Sequence, residues 1–218
     1  LLTTGCSIFG IRTAEELKYT VVEEQEHFEI RTYQKYISAE ATMAGDQRAV
    51  RSDLFRLLAG YIFGKNTTDT KIAMTAPVLM NPESAEGTQT SDTAPNGEST
   101  TSEKIAMTAP VTMEQGPDGQ WKMGFSMPAE FTMDTLPRPL DSRVKLVEIP
   151  DRTVAVVRFS GFFGNDEARA EKAQTLLAWL KKQSKYRVVG TPFYAGYDPP
   201  FTLPFLRRNE VLVEVESL

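Results

Sequence analysis

Apolar and polar positions change their spacing several times along the 218 residues, and each change marks an element. Residues 19–33 carry β-favouring side chains on both sides of the turn Gln25-Glu26-His27. Residues 36–43 alternate Tyr36, Ser38, Glu40 and Thr42 with Ile37, Ala39, Ala41 and Met43, the period of a half-buried strand. Asp46 offers an N-cap oxygen, and helical spacing then runs from 47 to 63 and stops at Gly64. Residues 71–80, 104–113 and 121–127 read as strands. Pro77 and Pro110 confine the first two to an edge or a bulge. Two further strands, 143–149 and 152–160, are separated by Pro150-Asp151, and a turn follows at 161–164. Asn165 caps a second helix to about 183, with Asp166 and Glu167 in its first turn, and strands at 186–197 and 210–215 close the chain.

The order strand–strand–helix–strand–strand occurs twice, and no linker separates the halves. One α+β domain is predicted: two units whose sheets combine into a barrel-like or saddle-shaped sheet with both helices packed against it. Residues 1–18 stand outside this pattern as a tether, and 19–218 form the domain.

Charge and composition narrow the chemistry. Lys and Arg number 24 and Asp and Glu 29, a net charge of −5. Five of the acids (Glu83, Glu86, Asp92, Glu98, Glu103) fall in 81–103, which has no base, so the remainder balances at 24 against 24. No basic field exists to hold nucleic acid, and none is expected as a partner. The same stretch is built of Ser, Thr, Glu, Gly and Pro, and it predicts a flexible low-complexity loop. No apolar run approaches the roughly 18 residues of a membrane span. A single cysteine and a single histidine exclude an intrachain disulfide and a four-ligand Cys/His zinc cluster. Nucleophile–base spacing and a glycine-rich phosphate loop are both missing, so the expectation is a protein that is not an enzyme.

The chain opens Leu1-Leu2-Thr3-Thr4-Gly5-Cys6-Ser7, which looks like the end of a bacterial lipoprotein signal peptide. Small residues precede a cysteine that would carry the lipid. Lipidation of Cys6 is the reading preferred over an incidental buried thiol. Ser7 after it resembles outer-membrane lipoproteins of Gram-negative bacteria, so the expected location is the cell envelope, facing the periplasm. Membrane contact is expected through the N-terminal lipid only.

One ten-residue stretch occurs twice. Lys71-Ile72-Ala73-Met74-Thr75-Ala76-Pro77-Val78-Leu79-Met80 returns as Lys104-Ile105-Ala106-Met107-Thr108-Ala109-Pro110-Val111-Thr112-Met113. Together with Phe28-Glu29-Ile30-Arg31-Thr32-Tyr33, Met127-Pro128, Thr135-Leu136-Pro137, Arg152-Thr153-Val154-Ala155-Val156, Phe159-Ser160-Gly161, Tyr197-Asp198-Pro199-Pro200-Phe201 and Arg207-Arg208-Asn209-Glu210, these copies resemble the SOUL haem-binding protein family over about residues 11–215. The resemblance implies a distorted antiparallel β-barrel of two βαβ-type pseudo-repeats with two flanking helices, related to gyrase-inhibitor-like domains. It also implies non-covalent binding of haem or another tetrapyrrole without established catalysis. The functional expectation is a monomeric carrier, buffer or scavenger of tetrapyrroles in the bacterial envelope. The alternative is an envelope interaction or structural lipoprotein that keeps the fold and binds no haem.

The helices suggest where such a ligand sits. On the first, Val50, Leu54, Leu57 and Tyr61 form one stripe for the sheet, while Leu58, Ile62 and Phe55 lie progressively off it beside Arg51 and Arg48. Apolar surface next to arginines suits a flat ring with two propionates, and it equally suits a wide core face with snorkelling arginines. On the second helix Ala170, Ala173, Leu176, Leu177 and Leu180 form a narrower stripe, with Trp179 pointing away. The loop 194–205 is too apolar for a free surface loop; it reads either as a flap over the helix face, with Phe201, Leu203 or Phe205 closing over the ligand, or as a plug for one end of the barrel. Arg207 to Glu210 fit strand anchoring by internal salt bridges better than propionate binding. A member of the family has a ligand histidine just after the Arg-Thr-Tyr match, and the residue here is Gln34. His27, Met43, Met74, Met107 and Tyr61 are the other candidate iron ligands, so ligation stays open.

Overall fold

A computed structural model of the chain describes residues 14–67, 101–162, 164–199 and 201–218. Cys6, the first copy of the repeat at 71–80 and residues 81–100 of the expected flexible loop lie outside the described residues. In chain order the elements are β1 (Glu15–Glu16), β2 (Tyr19–Gln25), β3 (Phe28–Tyr33), β4 (Tyr36–Met43), α1 (Gln47–Ile62), β5 (Asn66–Thr67), β6 (Thr108–Ala109) and β7 (Val111–Gln115). They continue with β8 (Trp121–Ser126), β9 (Arg138–Pro139), β10 (Lys145–Ile149), β11 (Arg152–Phe159), α2 (Asp166–Leu180), β12 (Tyr186–Gly196) and β13 (Asn209–Ser217).

Nine strands form one antiparallel sheet in the order β10-β4-β8-β7-β12-β13-β11-β3-β2. Matching β3, β4, β7 and β8 of the first unit with β10, β11, β12 and β13 of the second makes the eight positions from β10 to β3 read the same from both ends. Each unit lends its first strand to the other's end of the sheet. The units meet at the β7–β12 ladder, where Val111, Thr112 and Met113 pair with Gly196, Ala195 and Tyr194.

Closure is where the barrel expectation needs correction. The edges are β10 and β2, and among the described residues no ladder joins them. Two helix-covered cores account for this. α1 packs on β4 and β8, while α2 packs on β11, β12 and β13, so each half buries an apolar face under its own helix instead of inside a closed ring. Alternation along β11 separates a third core. Ala155 and Val157 face α2, whereas Val154 and Val156 face the opposite cluster with Tyr33, Phe193, Tyr197 and Leu212. Pairing starts at Glu15, within the segment expected to be a tether: β1 runs parallel to β6, and Leu17 packs on the third core.

The helix ends follow the predicted caps. Asp46 Oδ1 accepts from the Arg48 and Ala49 N–H groups at 3.0 and 3.4 Å, and Asn165 Oδ1 accepts from Ala168 N–H at 3.2 Å. The apolar stripe of α1 differs from the predicted one. It runs Val50, Leu54, Leu58 and Ile62 with Tyr61, while Leu57 is only partly buried. Leu58 and Ile62 therefore belong to the core against Ala39, Ala41, Met123 and Phe125, and they are withdrawn as ligand contacts. Rows at i+4 and at i+7 lie close together on a helix, and the crossing angle on the sheet selects between them. Trp179 also turns inward, stacking on Phe28 with ring centroids 4.8 Å apart.

Candidate functional site

A cleft of about 910 Å³ opens at the seam between the two units. Its floor is Val111 and Gly196, from the strands that join the halves, with Met123 of the neighbouring β8. One wall is the first half of α1, where Arg48, Arg51, Ser52 and Phe55 follow the i, i+3, i+4, i+7 spacing of a single face. The Asp46 cap fixes where that face begins. The opposite wall is the entry to α2, with Phe162, Gly164 and Asn165, and the loop after β12, with Asp198 and Arg207.

These wall loops are tied together. Gly161 adopts φ +124°, and its N–H donates to the Pro204 carbonyl at 2.8 Å. Asn209 Nδ2 donates to the Gly161 carbonyl at 2.9 Å. Asp198 Oδ2 accepts from the Arg208 N–H at 2.6 Å, and the Tyr197 N–H donates to the Arg208 carbonyl at 3.2 Å, which closes the base of the second loop.

Arg51 is the distinctive group. Its Nη1 is buried and has no hydrogen-bond partner among the described residues. A buried donor without an acceptor costs about 1–3 kcal/mol, a cost that an anionic acceptor entering the cleft would offset. Gly164 makes room for it: a β-carbon there would stand 2.6 Å from Arg51 Nη1 and 2.8 Å from Nη2. The other cations are engaged locally. Arg48 pairs with Asp166 at 3.7 Å, Arg56 pairs with Asp53 at 3.0 Å, and Arg207 donates through Nε to the Thr202 carbonyl at 2.7 Å beside the Phe162 ring. Phe55 is half-exposed, its ring tilted on Phe125 at 5.4 Å.

Of the residues expected to form the site, the structure brings Arg48, Arg51 and Phe55 together at the cleft. Leu58 and Ile62 are in the core. Phe201, Leu203 and Phe205 are exposed and do not line the cleft, so their expected lid role has no contact behind it. The short turn Pro204–Leu206 ties its base back toward Gly161, and the loop is held beside the cleft instead of across it. Sequence reasoning missed Phe162, Gly164 and Asp198. An aromatic pair between the glycines 161 and 164 was the available signal.

The candidate iron ligands scatter. Gln34 is exposed on a separate cavity of about 300 Å³ with Ile37, Met127 and Phe131. His27 is exposed in the β2–β3 turn. Tyr61 donates its hydroxyl to the Pro137 carbonyl at 2.8 Å, and burial pushes its phenol up, so it is no phenolate donor. Met43 packs on the core, Met107 is exposed, and Met74 lies outside the described residues. Met123 is the one thioether among the described cleft residues.

Arg208 and Glu210 anchor the final strand through a buried charge network, as expected, whereas Arg207 stands on the cleft wall. Arg31 Nη1 and Nη2 grip the Glu210 carboxylate at 2.9 and 3.1 Å, while Arg31 Nε meets Glu29 at 2.7 Å. Arg208 Nε adds a bond to Glu210 at 2.8 Å, its Nη1 reaches Glu16 at 2.9 Å, and Tyr197 donates its hydroxyl to Glu210 at 2.7 Å. Burial raises the Glu210 carboxyl, but the hydrogen bond and charge of Arg31, the charge of Arg208 and the Tyr197 bond outweigh it, and the net shift is downward. Burial, then the Glu210 charge, pushes the Tyr197 phenol well up.

Comparison with known proteins places the chain among relatives. The family model described as SOUL heme-binding protein matches residues 14–94 and 95–214. Heme-binding protein 2 of Homo sapiens is 30% identical over 186 residues, covering 84% of this chain and 76% of that protein. Heme-binding protein 2 of Mus musculus matches at the same identity and extent. Among solved structures, the EcmrR C-terminal domain has a TM-score of 0.54 at 9% identity, covering 92% of this chain and 99% of that one. An uncharacterized conserved protein from Listeria innocua has a TM-score of 0.52 at 13% identity, covering 88% and 93%. At such identities the likeness is one of fold alone.

Proposed function

The chain belongs to the SOUL haem-binding protein family, and on that premise we propose that it binds haem or a related tetrapyrrole non-covalently in the seam cleft, as a carrier, buffer or scavenger and not as an enzyme. The observation that carries this reading is the buried, unpartnered Nη1 of Arg51 in a cleft of about 910 Å³. Clefts of roughly 300–1,000 Å³ with apolar walls and a few polar anchors are the usual form of a small-molecule site. Phe55, Phe162, Val111 and Met123 would meet the apolar ring, and Arg51 would take a propionate, with Arg48 or Arg207 near the second. Such a ligand brings a flat apolar surface and two carboxylates, and the protein's part is to shield the first and neutralise the second.

The described cleft residues favour recognition of the carboxylates over recognition of iron, because Met123 is the one thioether among them and neither His27 nor Gln34 is one of them. Haemin and iron-free protoporphyrin should therefore bind the purified protein with affinities within about ten-fold of each other. Parallel absorbance titrations of the Soret band read both. A haem affinity greater by several orders of magnitude would show a strong axial ligand and sink this account of the site. Binding of neither would favour the haem-free interaction lipoprotein.

The envelope reading rests on the N-terminal sequence. The residues before Glu15 would tether a monomeric domain to the outer membrane through lipid on Cys6, facing the periplasm. Intact-mass measurement on protein extracted from native membranes should show Cys6 as an acylated N-terminus. A free Cys6 thiol in the mature protein would remove the tether.

A further inference from the structure

Arginines of α1 reach the opposite wall of the cleft. Arg51 packs against Gly164, and Arg48 reaches Asp166, the first residue of α2, with Nε 3.7 Å from Oδ2. The members of this second pair are held differently. Asp166 Oδ1 accepts from Arg169 Nη2, and the Arg169 side chain is 1% exposed, so a buried cation fixes the acid from behind. The Arg48 side chain is 75% exposed, and its backbone is pinned by N–H donation to the Asp46 cap at 3.0 Å. Arg48 is therefore the movable member, and it lines the cleft. Glu167, the other acid in the first turn of α2, is exposed and makes no ion pair among the described residues. Other acids near the cleft are engaged elsewhere: Asp53 pairs with Arg56 at 3.0 Å, and Asp198 Oδ2 accepts from the Arg208 N–H at 2.6 Å.

On the tetrapyrrole reading of the cleft, we propose that Asp166 is an internal competitor for the ligand's second carboxylate: it holds Arg48 in the free protein and yields it when a dicarboxylate enters. Arg51 takes the first carboxylate without competition, since its buried Nη1 has no partner among the described residues. The second carboxylate finds Arg48 already neutralised, so it gains only the difference between two charge-assisted contacts. Exposed pairs of this kind contribute little and are screened by salt, so the exchange is near balance and readily reversed. Arg207 is the poorer second anchor, because its Nε already donates to the Thr202 carbonyl at 2.7 Å and its guanidinium lies beside the Phe162 ring. Affinity then divides unequally. One carboxylate supplies most of the anchoring, and the other supplies an increment that Asp166 sets through Arg48. Loss of the acid frees Arg48 and widens the preference for two carboxylates over one. An exchangeable second anchor suits a carrier, which has to release what it binds.

Protoporphyrin and its monomethyl ester are the probes, read by Soret titration of the full chain at low salt. Asp166→Asn keeps an oxygen for Arg169 and should raise protoporphyrin affinity about two- to five-fold, the range that an exposed ion pair contributes. Affinity for the monoester should not change. Glu167→Gln removes the same charge from the same turn and should alter neither. Arg48→Ala should remove the preference for protoporphyrin over the monoester, and adding Asp166→Asn to it should have no further effect, as for two residues acting through one pair. Arg48 is exposed, so its substitution leaves the fold intact and this arm decides the matter if Asp166→Asn melts early by circular dichroism. An equal gain in Glu167→Gln, a gain that persists without Arg48, no gain in a folded Asp166→Asn, or an Arg48→Ala that keeps the wild-type preference overturns the proposal. If Arg51→Ala weakens binding while Asp166→Asn does nothing, the cleft still holds the ligand and only the competitor falls. If wild type binds neither porphyrin, or Arg51→Ala binds like wild type, the cleft is not the site and the competitor falls with it.

Discussion

Glu210→Gln should destabilise the protein by about 3–5 kcal/mol, the cost of removing one partner from a buried ion pair. Arg31 and Glu210 are both fully buried, and Arg208 is nearly so. Glutamine keeps the shape of the acid but leaves two guanidinium groups without their shared countercharge. It also leaves the Tyr197 hydroxyl facing an amide where it faced a carboxylate. For a chain of this size each 1 kcal/mol lowers the melting temperature by about 2–4 °C, so a fall on the order of 10 °C is expected.

The same substitution should change the acid limb of stability. The folded Glu210 carboxyl titrates below its ordinary value of 4.5, so at pH values between the two the unfolded chain binds more protons. Its contribution is complete above 4.5 and is lost as pH falls through the lower folded value. Chemical denaturation at neutral pH and at a series of acid pH values reads both effects. Glu210→Gln should be much weaker at neutral pH and should fall less steeply on acidification. Equal stability of the two proteins at neutral pH would show that the network contributes nothing net.

Arg51→Ala should weaken tetrapyrrole binding by about ten- to one-hundred-fold, the range expected for a charge-assisted bond to a carboxylate. Gly164→Ala should lower affinity in the same direction without touching the charge. Its methyl group would meet the guanidinium at 2.6–2.9 Å and push Arg51 out of its place. A flexible side chain can move away, so the fold should survive. Soret titrations of both variants, with circular dichroism as the control for folding, decide the matter. If wild type binds and both variants bind equally well, the propionate anchor is not Arg51. The 300 Å³ cavity beside Gln34 then becomes the next candidate.

Elements with strong local signals were legible in the sequence. The period-two run at 36–43 is β4 with the bounds that alternation predicted. Asp46 and Asn165 cap the helices because a side-chain oxygen next to free N–H groups needs no distant partner. The duplicated Ala-Met-Thr-Ala-Pro-Val stretch and its companion matches named the family. The strand after Pro110 is β7, while the residues before it pair separately as β6, so the proline marks a real break.

The site was only half legible. Arg48, Arg51 and Phe55 were found because they share a helix face, and spacing along one helix is local information. Leu58 and Ile62 were misplaced, because several apolar rows lie within one broad arc and the crossing with β4 and β8 chooses among them. Phe201, Leu203 and Phe205 were read as a lid, since an apolar loop announces that it needs a partner but not in which direction. Phe162 and Gly164 lie more than a hundred residues from Arg51, and only the β7–β12 seam brings them to it.

The α+β class, both helices with their N-caps, the main strands, the family and the arginine-edged face of α1 were readable from the order of residues alone. All of these rest on interactions between near neighbours in the chain or on residue identity. Only long-range packing leaves the sheet without a closing ladder among the described residues, brings Arg31 onto Glu210 from 179 residues away, and opens the cleft where the two units meet. The physical reason is the same in each case. Strand partners, buried ion pairs and cavity walls depend on which distant surfaces come together, and hydrophobic burial, which drives that choice, has no direction along the chain.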